Sequence, residues 1–327
     1  MNDMKIVAML GGLGSQMFKY AFFLAIKEEC SDEKCIIDTT PFLTREMWNG
    51  YELERIFHIH ENDLADSFCD NDINAIGKDF YRNVSLNKIH ILYANSQIYY
   101  FERGKKYEYK DDSSIYYRLF NKIRKHIKLY LDLISQKENS HIDVYPKDYL
   151  SLNGITYYDE FNHTSDYYFH SIRNKLIDVF AFPEFCDEKN KVIANEMLNC
   201  ESVALHIRRS DHLYDNIQLF EDGYFKKAID YIKRKVRNPV FYIFSDEPDW
   251  CISNKEAIGI SCSDNIVIVN WNSKTASFRD MQLMTYCKHN ILVISSFSWW
   301  GYYLSRNTNG KIVCAPNGYW FDVNTHF

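Results

Sequence analysis

Val7–Ala25 reads VAMLGGLGSQMFKYAFFLA. The apolar run that leads into it (KIVAML, Lys5–Leu10) has the length and composition of a buried strand, and it breaks at Gly11-Gly12-Leu13-Gly14. From about Ser15 to Glu29 the spacing becomes helical, with Met17, Tyr20, Ala21, Leu24 and Ala25 on one face. Cys35–Asp38 (CIID) then supplies a second short strand. Strand, turn, helix and strand in this order open a β/α fold with a parallel sheet, because a helical crossover is what joins parallel neighbours. A glycine turn ahead of a helix also suits a phosphorylated ligand, since free N–H groups and the helix dipole both favour negative charge.

The same alternation returns from about residue 200. VALHI (Val203–Ile207), VFYIFS (Val240–Ser245), IVIV (Ile266–Val269), ILVIS (Ile291–Ser295) and KIVCAP (Lys311–Pro316) are short apolar runs. Helical patterns separate them at Tyr224–Val236, Trp250–Ala257, Phe278–Lys288 and Trp299–Arg306. That is the pattern of a doubly wound parallel sheet. The fold class is therefore α/β, with two Rossmann-type β/α domains expected at residues 1–165, glycine turn included, and 166–327. The section from Asp63 to Ser151 is polar and yields a short strand at His90–Tyr93 (HILY) and an amphipathic helix at Ile115–Ile134. Ile115, Leu119, Ile123, Ile127, Tyr130 and Ile134 form its stripe, opposite Arg118, Lys122, Lys125 and Lys128. Such a helix either packs on a core with its basic face in water or adsorbs to an anionic membrane surface.

Composition narrows the classes. A chain of 327 residues that is 46% hydrophobic and 25% charged can bury a core and is not disordered. Its 25 Tyr and 22 Phe offer flat apolar faces that suit sugars, and a biased genome composition accounts for them equally well. A net charge of −6 gives no field to draw nucleic acid. Nine cysteines without a CxxC pair read as free thiols of a reducing compartment rather than as disulfides or a zinc site. The first residues lack the pattern of a signal peptide, and no apolar run reaches membrane-spanning length. The protein is expected in the cytoplasm, with a peripheral contact at the inner face of the plasma membrane if the Ile115–Ile134 helix adsorbs there.

The chemistry concentrates at strand ends. VALHIRRSD (Val203–Asp211) runs a buried strand into His206, Arg208, Arg209 and Asp211. Ligands in open α/β sheets bind at the carboxyl ends of strands, and two guanidiniums there can fork onto phosphate oxygens. The alternative is an Arg–Asp pair that only holds a loop. Ser245 and Asp246 close the next strand, where a carboxylate can accept from a base or a ribose. Ser295, Ser296 and Ser298 stand between a strand and a helix, as N-caps or as part of an anion cradle. Asp70-Asn71-Asp72 has the DxD form of metal-dependent glycosyltransferases but no buried strand before it, and His58-Ile59-His60 has no third ligand nearby. No metal is expected.

Four stretches together resemble the bacterial α-1,2-fucosyltransferases of glycosyltransferase family 11: GGLGSQMFKYA (11–21), HIRRSD (206–211), FYIFSDEPDWC (241–251) and DMQLMTYCKHNILVISSFSWWGYYLS (280–305). The resemblance implies a GT-B-like pair of domains with the active site in the cleft between them. It implies GDP-β-L-fucose as donor, no cofactor or required metal, and inverting transfer to the 2-hydroxyl of a terminal galactose. The acceptor would be a galactose-terminated oligosaccharide or lipid-linked glycan. His206, Arg208, Arg209 and Asp211 map to the family's diphosphate motif, and Ser245, Asp246, Ser295, Ser296 and Ser298 to the walls of the GDP pocket. Arg208, Arg209 and Asp211 are the expected catalytic residues. Asp211 would either take the acceptor proton or hold the arginines. Gly12, Gly14 and Ser15 would approach the donor from the other domain. Two positions depart from the family pattern: Ser15 stands where Asn is usual, and His212 where an aromatic residue follows the motif Asp. Two other readings compete. A non-catalytic glycan-binding protein would use the aromatic surface. An NAD-dependent dehydrogenase would use Gly12, Gly14 and Asp38, although Met17 stands at the third glycine of its fingerprint.

Overall fold

The computed structural model describes residues 4–30, 34–44, 47–67, 98–102, 105–109, 153–160, 166–209, 219–305, 308–316 and 325–326. Two units form. The first contains Met1–Met9, Phe23–Arg45 and Glu61–Ser165, and the second Leu10–Phe22, Glu46–His60 and Asp166–Phe327.

In the first unit β1 (Met4–Ala8) pairs in parallel with β2 (Lys34–Asp38) and with β5 (Ile155–Glu160), Ile6 lying opposite Ile36 and Tyr157. β3 (Ile98–Glu102) and β4 (Lys105–Tyr109) are an antiparallel pair, and the sheet order is β2-β1-β5-β3-β4. Every residue of β1 is buried, as a strand with neighbours on both sides requires. At the end of β2 the Asp38 carboxylate accepts from the backbone N–H of Thr40 at 2.9 Å and from the Tyr157 hydroxyl. Burial raises its pKa above the ordinary carboxylate value.

The second unit is a parallel sheet of β6 (Ser202–Ile207), β7 (Val240–Ser245), β8 (Asn265–Val269), β9 (His289–Ile291), β10 (Val313–Ala315) and β11 (Thr325–His326), ordered β11-β10-β9-β6-β7-β8. Counted within the unit this is 3-2-1-4-5-6, the Rossmann order, and the chain reverses direction across the sheet between β6 and β9. Alternation along the strands explains the two layers that cover it. Val203, Leu205, Ile207, Phe241 and Ile243 face a helix at Tyr224–Lys235 through its buried Phe225, Ala228, Ile229 and Ile232. Ala204, Tyr242 and Phe244 face the opposite layer, with Met197, Leu283 and Met284.

The glycine turn differs from expectation. The sequence reading places it in the N-terminal domain, but Leu10–Phe22 and Glu46–His60 belong by packing to the second unit. The cause is aromatic. On helix α1 (Leu13–Glu29) the Phe18 ring lies 4.6 Å from Trp299 and 5.0 Å from Trp300, and Phe57 meets Phe180 at 5.2 Å. Among the described residues no helix is long and apolar enough to cross a membrane, and eight cysteines are free thiols.

Candidate active site

The strand order reverses between β6 and β9, which in open α/β sheets is where the ligand crevice lies, outside the carboxyl ends of the strands, and the sequence motif follows β6 there. His206, the penultimate residue of β6, is 5% exposed, and its ring lies 5.8 Å from Phe297 in the segment after β9. Arg208 and Arg209 follow directly. Their surroundings are not alike. Arg209 donates through Nε to Glu247 Oε2 at 3.1 Å, and its guanidinium stacks 3.7 Å from the Trp250 ring centroid. Its backbone N–H donates to Asp246 Oδ1 at 3.0 Å. Arg208 meets Asp246 Oδ2 at 3.5 Å, longer than a close charge-assisted hydrogen bond, and a quarter of its side chain is exposed. Arg209 is thus built into the turn, and Arg208 faces Asp246 more loosely. Ser245 Oγ accepts from the Glu247 N–H at 3.0 Å, which fixes the turn after β7.

Across the crevice, helix α2 (Ser296–Tyr303) starts where the serines stand. Ser295 is its N-cap, accepting from the Phe297 N–H at 3.2 Å, and the buried Ser298 hydroxyl donates to the Ser295 carbonyl at 3.2 Å. Ser296, the first helical residue, touches the glycine turn. A Cβ placed on Gly14 would lie 2.6 Å from Ser296 Oγ and 2.8 Å from the Ser296 carbonyl carbon, so only glycine allows this approach. Trp300 Nε1 completes the joint by donating to the Gly14 carbonyl at 2.9 Å. Gly11, at φ +88°, takes the left-handed conformation that starts the turn, and Ser15 Cβ would lie 2.8 Å from a Cβ there. The N-termini of α1 and α2 therefore meet at Gly14–Ser296. Two positive helix ends held together favour an anion between or beside them.

A carboxylate that the motif reading passed over lies in the same unit. Asp280, in the first turn of helix α3 (Phe278–Tyr286), accepts from Asn272 Nδ2 at 2.8 Å, its one side-chain partner among the described residues. Loss of water pushes its carboxyl up to about 7. Asn272, beyond the end of β8, is held in turn by Asn190 Nδ2 at 2.9 Å. The signal was present in sequence as an acid at the start of a helix that follows a strand end, the same logic applied to Ser245 and Asp246.

Residues 109–320 match the sequence model of the family described as Glycosyl transferase family 11, which is more than half of the chain. The chain belongs to glycosyltransferase family 11. An alpha-1,2-colitosyltransferase of Escherichia coli is 34% identical over 161 residues, covering 47% of this chain and 53% of that protein. The O-antigen biosynthesis glycosyltransferase WbnK of Escherichia coli is 26% identical over 96% of this chain and 94% of its own length. A galactoside alpha-(1,2)-fucosyltransferase 1 of Aotus azarae is 24% identical over 42% of this chain and 40% of its own. The chain thus matches about half or less of two of these relatives and nearly all of WbnK. The solved structure of the fucosyltransferase NodZ from Bradyrhizobium is similar with a TM-score of 0.45 and 11% identity, over 91% of both chains.

In this family 11 glycosyltransferase the structure gathers His206, Arg208, Arg209, Ser245, Asp246, Ser295, Ser296, Ser298 and the glycine turn into one unit. Asp211 and His212 lie outside the described residues, as do Asp70–Asp72, the HILY strand and the Ile115–Ile134 helix. Among the described residues no three His, Cys, Asp or Glu side chains gather as a metal site would need. His60 instead pairs with Glu54 at 3.4 Å.

Proposed function

We propose that this family 11 glycosyltransferase moves L-fucose from GDP-β-L-fucose to the 2-hydroxyl of a terminal galactose, with inversion at the anomeric carbon. The observation that carries the reading is Arg208 directly after β6, at the direction reversal of a Rossmann-ordered sheet, with the His206 ring two residues earlier lying 5.8 Å from Phe297 in the first turn of α2. As the bond from the anomeric carbon to phosphate breaks, negative charge grows on GDP. A guanidinium and helix ends fixed in advance stabilise that charge without reorganising. Arg209, held by Glu247 and Trp250, keeps the turn in shape, so Arg208 is assigned the direct phosphate contact. Asp280 is assigned the guanine, whose ring N–H and 2-amino group both donate to a carboxylate. Asp246 and Glu247 already hold the two arginines, and we assign the acceptor proton to Asp211.

An NAD reading is disfavoured by the sheet itself. The fingerprint at Gly12 and Gly14 follows β1 of the first unit, whose order β2-β1-β5-β3-β4 with an antiparallel β3–β4 pair is not the Rossmann order, and Met17 stands at its third glycine. The colitosyltransferase and the Aotus azarae fucosyltransferase are both named as α-1,2 enzymes, which supports the regiochemistry, whereas NodZ is named an alpha-1,6-fucosyltransferase. The colitosyltransferase supports a second reading, in which the donor sugar lacks the 3-hydroxyl of fucose. One assay separates these. GDP-fucose and GDP-colitose are each offered with galactose-terminated oligosaccharides, and the product linkage is read by NMR. A 2-linked fucoside is expected. A preference for GDP-colitose moves the assignment to the second donor, and glycan binding with no transfer from either overturns both.

A further inference from the structure

One large aromatic side chain stands beside this site without being part of any core. Trp48 is 62% exposed, and ring atoms of its indole lie 3.6–3.7 Å from where a Cβ on Gly12 would be. Its backbone has φ +44°, a left-handed conformation that is uncommon for any residue but glycine and an outlier for one so bulky. The surrounding chain holds it there from several sides. The Gly50 N–H donates to the Met47 carbonyl at 2.8 Å. Gln16, fully buried in α1, donates to the carbonyls of Gly11 at 2.8 Å and Gly50 at 2.9 Å, and accepts from the Glu52 N–H at 2.8 Å. Asn49 Nδ2 reaches the Lys274 carbonyl at 3.1 Å, and Arg55 Nη1 the Thr275 carbonyl at 3.0 Å. A folding role would bury the indole. Here a strained backbone, fixed by many bonds, keeps it in water over the glycine turn, and strain held in this way marks functional positions.

We propose that Trp48 is a stacking platform for a pyranose ring of the acceptor glycan. A galactose ring presents the C–H bonds of C3, C4 and C5 on one face, and that apolar face fits a flat indole. The platform lies over Gly12, two residues from the Gly14–Ser296 joint, so a sugar resting on it is next to the crevice rather than within it. The inference rests on the transferase reading for the identity of the sugar as acceptor. Its test is a binding measurement that does not need transfer.

Saturation-transfer NMR with a galactose-terminated oligosaccharide, in the presence of GDP, is run on the wild-type chain and on Trp48→Ala, Trp48→Gly and Trp48→Phe. Glycan affinity is expected to fall about tenfold in the Ala and Gly variants and to be largely kept by Phe. GDP affinity is expected to stay within about twofold in all three. Trp48→Gly removes the left-handed strain, so its fold persists and its loss of glycan cannot be unfolding. Unchanged glycan affinity in the Ala and Gly variants overturns the proposal, as does weakened binding of GDP-fucose relative to GDP, which would place the donor sugar on the ring. Glycan binding that depends on Trp48 without any fucosyl transfer leaves the platform standing and removes the transferase reading.

Discussion

Two adjacent arginines illustrate how little a motif says about the work of each member. Arg209 has Glu247 at 3.1 Å and Trp250 at 3.7 Å, whereas Arg208 has Asp246 at 3.5 Å and remains a quarter exposed. Arg208→Ala is therefore expected to lower kcat/KM by about a thousandfold with little change in melting temperature, as for loss of a preorganised charge-stabilising donor. Arg208→Lys should fail almost as badly, since an ammonium cannot fork. Arg209→Ala should instead destabilise the fold by about 1–2 kcal/mol through lost stacking and an unpaired Glu247. Equal effects of the two on melting temperature would show that the structure's distinction between them is wrong. Asp280 adds a pH signature. Its pKa is raised from 3.8 to about 7, so the stability it contributes is full below the ordinary carboxylate value and is lost as pH rises through about 7. Asp280→Asn should accordingly raise the melting temperature at pH 8 and leave it nearly unchanged at pH 4. Guanine needs the ionised form, so guanosine, which has no phosphate to titrate, should bind more tightly at pH 8 than at pH 6. Calorimetry checks this, and in Asp280→Asn the affinity should be weak and flat with pH.

At the scale of elements, much of the site could be read from residues because the strands that build it are buried on both sides. VFYIFS forms the strand it spells, and VALHI is lengthened only by Ser202. ILVIS was expected to remain extended to Ser295, but β9 ends at Ile291, and the helix starts at Ser296 rather than Trp299. The N-cap at Ser295 decides that start, and a cap hidden among three serines is not separable by pattern. Trp250–Ala257 was expected as one helix and is two, Pro248–Ser253 and Lys255–Ile258, the second closed by Gly259 at φ +93°. The β3–β4 pair was not anticipated: charges interrupt KKYEY, and IYYF (98–101), a strand-forming run inside an otherwise polar section, was passed over. The joint between the two helix N-termini was also invisible, since it depends on residues 282 positions apart in sequence (14 and 296) meeting without a Cβ. That joint can be tested directly. Gly14→Ala forces a methyl against the Ser296 backbone and should cost about 1–3 kcal/mol by overpacking. It should also reduce GDP affinity, because the positive helix ends move apart. Thermal melts and GDP titration check both, and a variant that melts like wild type would mean the contact is not as close as described.

For the whole molecule, the expected division at residue 165 left out what packing assigns to the second unit. Residues 166–327 carry the Rossmann-ordered sheet, yet Leu10–Phe22 and Glu46–His60 complete the unit. Local pattern can mark α1 as amphipathic, but it cannot say which apolar surface covers Phe18. The partner proves to be Trp299 and Trp300, nearly 300 residues away in sequence, with Trp300 fully buried. A fragment beginning at Asp166 would uncover those indoles, lose the Trp300 bond to Gly14 and leave Phe180 without Tyr20 and Phe57. Uncovering even a few aromatic side chains at about 1.5–3 kcal/mol each is comparable to the whole stability of a domain. The fragment 166–327 is therefore expected to melt without a cooperative transition and to bind GDP at least about tenfold more weakly than the full chain. Adding residues 1–60 as a separate polypeptide should restore part of both, since it returns the glycine turn and the Trp48 loop to their surface. A fragment that melts sharply and binds GDP like the full chain would mean that the glycine turn is an accessory to the nucleotide site and not one of its walls.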